Sequence, residues 1–111
     1  MDTPTLQHEL TQLTTDLRQI SDKARDVAEA DNIPSIMKTC ELRINATAPY
    51  VLSHLDADRA AEMVDMLRML CQWGKGWPDA QKDLSLRALL YLQANKWANQ
   101  VADYAGALGQ A

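Results

Sequence analysis

The sequence contains no phenylalanine, and only four glycines and four prolines occur among its 111 residues. Low-complexity tracts are also absent, so we expect order nearly throughout the chain. No apolar run approaches the roughly 20 residues that a helix needs to span a bilayer, which disfavours a membrane role. No window combines polar–apolar alternation with β-branched residues, as a strand would. These absences predict an all-α protein of one domain.

Clusters of basic residues are missing as well. The chain has 11 Lys and Arg against 15 Asp and Glu, a net charge of -4. Without a basic surface that follows a phosphate backbone, nucleic acid is a disfavoured partner. Residues 1–31 hold seven acids and three bases, whereas the other 80 residues hold eight of each. The first predicted helix therefore carries the excess, either as a solvated face or as a surface for a basic partner.

The N-terminus has neither the basic nor the apolar segment of a secretory signal, so we expect a cytoplasmic protein. The two cysteines, Cys40 and Cys71, are then expected to be reduced thiols. Both fall on apolar helix faces, where cysteine packs as a small hydrophobe. A redox pair would require them to meet in space, which the sequence leaves open.

The first predicted helix covers about residues 4–30, with Thr3 as its cap and Pro4 at the first helical position. Its apolar residues follow a strict 4, 3, 4, 3 spacing. They are Leu6, Leu10, Leu13, Leu17, Ile20, Ala24 and Val27. We call this set the heptad seam. A stripe this narrow is typical of a helix that packs along one line against partner helices.

Three further helices are predicted over about residues 34–48, 57–73 and 80–108. Pro49 either ends the second helix near Ala48 or kinks it, and we favour the break. Asp56 or Asp58 caps the third helix, which Gly74 and Gly76 stop. The expected fold is a four-to-five-helix bundle or a helical-hairpin array over residues 1–111, with antiparallel neighbours and short loops.

The third predicted helix is apolar over more than half of its circumference. One apolar face consists of Met63, Val64, Leu67, Leu70 and Cys71, and Met66, Met69 and Trp73 widen it. A helix that is apolar on so many sides is either central in a fold or covered by a partner. Flexible methionines suit a groove that adapts to a partner helix, although they fill cores too.

The last segment allows two interpretations. In the first interpretation, a regular 4, 3, 4, 3, 4 spacing of apolar residues predicts one long helix. These residues are Leu90, Ala94, Trp97, Val101, Tyr104 and Leu108, and Leu86, Leu89 and Tyr91 are found on the same segment. Alternatively, residues 81–108 resemble one tetratricopeptide-type helical hairpin. In that alignment Ala88 and Tyr91 match the first helix, Asn95 takes the place of the turn glycine, and Trp97, Tyr104, Ala107 and Leu108 match the second. Arg87 and Gln100 depart from the repeat.

With this hairpin the chain resembles a family of small cytosolic proteins with degenerate repeats, the chaperones of type III secretion needle subunits. Such chaperones hold an aggregation-prone amphipathic helix in an apolar groove until export. For this chain the resemblance implies a protein partner, and no cofactor.

One cluster could carry chemistry, namely His54, Asp56, Asp58 and Glu62. Imidazole and carboxylate ligands could hold a divalent metal, and a histidine beside a carboxylate could act as a base. However, Asp56 and Asp58 stand where a helix N-terminus favours acids. We therefore expect no enzyme, no metal and no cofactor.

The sequence predicts a helical protein–protein interaction module of chaperone or adaptor type. It would hold an amphipathic partner helix or associate with itself. The surface predicted to contact the partner comprises Leu10, Leu13, Leu17, Ile20, Met63, Met66, Met69, Trp73, Trp77 and Trp97. The alternative is an acidic immunity or inhibitor protein that neutralises a toxin or nuclease through Asp16, Asp22, Asp26 and Glu29.

Overall fold

The computed structural model describes residues 1–26 and 31–110, except for the side chain of Gln110. Over these residues the chain forms four α-helices and no strand. They are α1 (Thr3–Ala24), α2 (Ile33–His54), α3 (Ala57–Ala80) and α4 (Leu84–Gln110). The described part of the chain is a rod-shaped bundle with principal extents of 43 × 19 × 19 Å. The predicted all-α bundle with short loops is confirmed.

Side-chain contacts show that neighbouring helices run antiparallel. Gln7 Nε2 on α1 donates to the carbonyl of Ala105 on α4, whereas Ser21 Oγ, near the other end of α1, donates to the carbonyl of Tyr91. Helix α1 packs extensively against both α2 and α4, and α3 packs mainly against α2. The backbones of α3 and α4 approach each other least. Helices α3 and α4 are therefore the most widely separated neighbours in the bundle.

The heptad seam of α1 lies in the core. Leu6, Leu10, Leu13, Leu17 and Ile20 are all 0% exposed, and Ala24 is 2% exposed. Val27, the last residue of the predicted seam, lies outside the described residues. The seam packs within the chain because α1 is flanked on both sides by α2 and α4.

Both predicted ends of the first helix need correction. The cap is Asp2, whose side chain accepts a hydrogen bond from the Thr5 N–H at 2.9 Å, and not Thr3. A carboxylate is the stronger acceptor for the unpaired N–H groups of a first turn. The helix ends at Ala24, whereas its predicted end at Ala30 lies outside the described residues. The terminal carbonyl of Ala24 accepts from Arg87 Nε at 3.1 Å, so α4 satisfies the end of α1.

Helix α2 continues through Pro49 to His54, contrary to the predicted break near Ala48. Pro49 is exposed, whereas Thr47 and Val51 on either side are buried. The carbonyl that loses its hydrogen bond to the proline therefore belongs to the solvent-facing side of the helix, where water can satisfy it. Because Val51, which follows the proline, is buried in the core, packing favours continuation of the helix past Pro49.

Helix α3 likewise continues past its predicted stop, through Gly74, Gly76 and Pro78 to Ala80. No described glycine has a positive φ, so none of them forms the left-handed helix stop that the sequence suggested. Trp77 and Ala80 in the last turn are each 3% exposed. Burial of this tryptophan outweighs the low helix propensity of two glycines, about 1 kcal/mol each.

Replacing Gly74 with alanine is expected to stabilise the protein. An added Cβ would meet nothing within 4 Å, and the backbone there is helical. Alanine should raise the free energy of unfolding by about 0.5–1 kcal/mol, since glycine loses more backbone entropy in a helix. Urea denaturation followed by circular dichroism measures this change. A loss of stability in Gly74→Ala would contradict a helical backbone at this position.

Helix α4 runs without interruption through Asn95. Of the two interpretations of the last segment, the single long helix describes the structure. Asp83 precedes it and accepts from the N–H groups of Ser85 and Leu86, at 2.9 and 3.3 Å. One side of α4 contributes Leu90, Ala94, Ala98, Val101 and Ala105 to the core, where small residues allow close approach to α1.

Candidate functional site

Most of the side chains predicted to contact a partner are enclosed in the bundle. Leu10, Leu13, Leu17, Ile20, Met63 and Met66 are 2% exposed or less, and Trp77 and Trp97 are buried as well. Only Met69 and Trp73 of that set lie partly at the surface, against the edge of the core. Both residues are on the side of α3 that faces α4.

Long side chains bridge the wide space between α3 and α4. The Trp73 indole Nε1 donates to Gln93 Oε1 at 2.8 Å. Farther along, the Tyr104 hydroxyl donates to Glu62 Oε2. Burial, together with the neighbouring carboxylate, raises the pKa of Tyr104, so this phenol remains a donor across the physiological range. Two polar bridges thus link α3 and α4 across this space, and a surface channel lies between the helices.

We call this channel the α3–α4 groove. At its apolar end a cleft of about 320 Å³ is lined by Met69, Gln72, Trp73, Gly76, Ala80, Leu86 and Gln93. The channel continues past Met66, Lys96, Trp97 and Gln100 and ends beside Glu62, Asp103 and Tyr104. From Glu62 to Ala80, α3 rises about 27 Å at 1.5 Å per residue. That length matches roughly five turns of a partner helix.

Exposed leucines border the apolar end. Leu86 is 38% exposed, Leu89 is 46% exposed and Leu92 is 61% exposed. Their spacing of three residues brings them along one side of α4, from the groove toward the outer surface. Leu84, which precedes them, is 75% exposed. Of these leucines, Leu86 lines the cleft together with the half-buried Trp73 and Met69, and Leu89 follows it about one turn later on α4.

The sequence predicts only part of this groove. It singled out Met69 and Trp73, but it gave Leu86 and Leu89 no role distinct from the core leucines of the same helix. The available signal is that leucines occur all around α4 between residues 84 and 92, which one core-facing stripe cannot accommodate.

The other end of the groove is acidic. Asp56, Asp58, Glu62, Asp65 and Asp103 line it, and the basic residues beside them are Arg59, Arg68 and Lys96. Arg59 forms an ion pair with Asp56, three residues earlier on the same helix. The two ends of one channel thus differ in chemistry, with leucine, methionine and tryptophan at one and a surplus of carboxylates at the other.

The residues of the His54 cluster do not form one site, and three of them have separate structural contacts. Asp56 caps α3 and accepts from the Arg59 N–H at 2.8 Å, and this hydrogen bond lowers the pKa of the carboxyl. His54 Nδ1 lies 3.3 Å from Thr3 Oγ1, and Nε2 lies 3.2 Å from the carbonyl of Met1. Glu62 instead accepts from Tyr104. Within the described ranges, no group of three or more His, Cys, Asp or Glu could hold a metal ion.

Several acids of the first 31 residues have partners within the bundle. Arg43 on α2 donates to Glu9 at 2.8 Å and to Asp16 at 3.1 Å, so two carboxylates of α1 share one guanidinium. Asp31 accepts from Gln81 Nε2 at 2.7 Å. Glu29 lies outside the described residues. Two of the acids on α1, Glu9 and Asp16, therefore hold α1 against α2.

The two cysteines differ sharply in accessibility. Cys40 is buried, and burial raises the pKa of its thiol to about 12. Cys71 is exposed, and a hydrogen bond to the Glu41 carboxylate raises its pKa as well. Both thiols are free.

We expect alkylation at pH 8 to modify only Cys71 in the folded protein. The thiolate is the reactive form, and a pKa of about 12 leaves roughly one Cys40 in 10,000 ionised. Cys71 should itself react more slowly than free cysteine, and faster as the pH rises. Mass spectrometry after maleimide labelling measures both rates, with Cys71→Ser as the control that should abolish labelling. Equal rates at the two cysteines would contradict the burial of Cys40.

Comparison with protein-family models, curated protein sequences and solved structures finds no match to this chain. The comparisons therefore do not test the tetratricopeptide-type resemblance of residues 81–108, although the hairpin turn that it implies at Asn95 is replaced by continuous helix. Among the described residues, no helix is both long and apolar enough to cross a membrane.

Proposed function

We propose that this protein is a helix-binding interaction module of chaperone or adaptor type, and that the α3–α4 groove receives an amphipathic helix of its partner. The observation that carries the proposal is the apolar cleft lined by Trp73, Met69 and Leu86 between α3 and α4, with the exposed Leu89 about one turn from Leu86. Elsewhere the described residues of the heptad seam are buried, as are Met63, Met66 and Leu70 on α3, whereas Val64 and Cys71 of its apolar face are exposed.

The chemistry of this surface suits a helix. Apolar residues at positions i, i+3, i+4 and i+7 of an amphipathic helix form a stripe that fits a channel between two neighbouring helices. Trp73 is half-buried and held by Gln93, so it presents a fixed aromatic edge at low entropic cost. Met69 beside it is unbranched and adjusts to differently shaped anchors.

Photo-cross-linking in cells of the source organism tests the proposal. A benzophenone amino acid replaces Leu89 at the groove, and the matched control carries it at Leu52, a 53% exposed leucine on α2. We expect a discrete protein adduct from position 89 and none from position 52. Adducts at both positions, or at neither, would contradict a partner seated in the groove.

The same experiment tests the alternative proposal, an acidic inhibitor that binds its target through α1. Asp22 is exposed beside Gln19 at one end of α1, which favours this alternative. A third probe at Asp22 would form the main adduct if the inhibitor proposal holds. Asp16 is unsuitable for such a test because its carboxylate pairs with Arg43, so that reversal of its charge would disturb the fold.

A further inference from the structure

The α3–α4 groove changes from apolar to acidic along its length. Trp73, Met69 and Leu86 lie around the cleft at one end. The acidic end begins at Asp65, about one turn of α3 from Met69, and also includes Asp56, Asp58, Glu62 and Asp103. The five carboxylates exceed the three adjoining bases, Arg59, Arg68 and Lys96, by two charges.

We infer that the occupant of the groove is an amphipathic helix with Lys or Arg residues at one end and apolar anchors at the other, an inference that rests on the proposed function. The basic end lies against Asp65 and Asp103, and the apolar end lies against Trp73 and Leu86. Charge complementarity of this kind fixes the register and direction of a helix that apolar contacts alone would leave free to slide.

The alternative occupant, a second copy of this chain, fits the charges less well. If two copies faced each other groove to groove with the two-fold axis across the groove, the acidic end of one would meet the apolar end of the other, where Lys75, Lys82, Asp79 and Asp83 cancel. With the axis along the groove, the two acidic ends would meet each other. Neither arrangement gives the carboxylates a surplus of basic residues to face.

Both carboxylates named for the contact are accessible. Asp103 is exposed, and Asp65, with a side chain that is 66% exposed, is only 3.5 Å from Arg68 on its own helix. An exposed pair of this kind is weak and exchanges readily for a partner's ammonium group. Glu62 already accepts a hydrogen bond from Tyr104, so its contribution to the binding of a basic partner is its negative charge.

Designed peptides test the inference. Four fluorescent helices of roughly 18 residues, which match the length of the groove, share one leucine-rich face. They differ only at their termini, with three lysines at the N-terminal end, three at the C-terminal end, glutamine at both ends, or three glutamates. Anisotropy titrations measure their affinity for the full chain at low and at physiological ionic strength.

We expect one of the two lysine peptides to bind about ten times more tightly than the glutamine peptide, and the glutamate peptide to bind most weakly. The preference should shrink with added salt, because exposed charges are screened. In the variant Asp65→Asn/Asp103→Asn it should fall to less than about threefold. The control, Asp22→Asn/Asp79→Asn, removes the same charge from exposed positions outside the groove and should keep the preference.

Failure of the inference is distinguishable from failure of the proposed function. If all four peptides bind equally and Leu89→Glu abolishes their binding, the groove receives helices but does not select a basic end, which overturns the inference alone. If the control variant loses the preference as fully as Asp65→Asn/Asp103→Asn, the selectivity reflects net charge, which also overturns it. If no peptide binds in a way that depends on Leu89, both proposals fail.

Discussion

Replacing Leu13 with alanine is expected to lower the free energy of unfolding by about 2–5 kcal/mol. Leu13 is 0% exposed and occupies the middle of the heptad seam, where α1 is enclosed by α2 and α4. Removal of its branched side chain loses apolar burial and leaves a cavity that rigid neighbouring helices fill only in part. Equilibrium denaturation in urea, followed by far-ultraviolet circular dichroism, measures the loss.

The matched control is Leu92→Ala, which makes the same chemical change at a leucine that is 61% exposed on α4. Its effect should stay within about 0.5 kcal/mol, as is usual for surface substitutions. The loss in Leu13→Ala should also be independent of protein concentration, because the seam is buried within one chain. A concentration-dependent loss, or a mild one, would show that the seam packs between chains.

Replacing Leu89 with glutamate is expected to weaken partner binding by more than about 30-fold, the effect of losing a central interface residue. A carboxylate at this position would lie about one turn from Leu86, which lines the apolar end of the groove, and binding of an apolar partner face would desolvate it. Titration calorimetry with the partner recovered from the position-89 adduct measures the change.

Stability should be nearly unaffected by this substitution, since the Leu89 side chain is 46% exposed in the unbound protein. The control Leu52→Glu makes the same change at an exposed leucine of α2 and should alter the affinity by less than about threefold. Equal losses in both variants would mean that the added charge, and not the groove, governs binding.

The sequence predicted the heptad seam well because its regular spacing reflects one continuous line of burial. Leu6, Leu10, Leu13, Leu17 and Ile20 are all fully buried. A period of three and four residues needs no knowledge of the partner helices to be recognised. What the spacing could not provide is the identity of those helices, which are α2 and α4 of the same chain.

Helix ends were predicted poorly where local preference and tertiary burial conflict. Pro49, Gly74 and Gly76 favour termination locally, yet Val51 and Trp77 beyond them are buried and keep α2 and α3 helical. Asn95 similarly lies within an uninterrupted α4. Each breaker is exposed, so the bundle accommodates it on the solvent side.

The groove itself could be predicted only in part. The width of the apolar face of α3 indicated that some of it would lie outside a single-sided core, and Trp73 and Met69 were named on that basis. Which side of the bundle stays open depends on how far apart α3 and α4 are held. The side chains that span this distance, such as Trp73 and Gln93, are 20 positions apart in the sequence, so local spacing does not reveal that they meet.

Titration of the ¹⁵N-labelled protein with the tighter lysine peptide, followed by amide chemical shifts, tests helix binding in the groove most directly. We expect the chemical-shift changes to be confined to residues 62–80 and 86–104. When a spin label is moved from one end of the peptide to the other, the amide signals that it broadens should change from one end of the groove to the other. Shifts concentrated around Asp22 on α1, or none at saturating peptide, would contradict a helix-binding groove between α3 and α4.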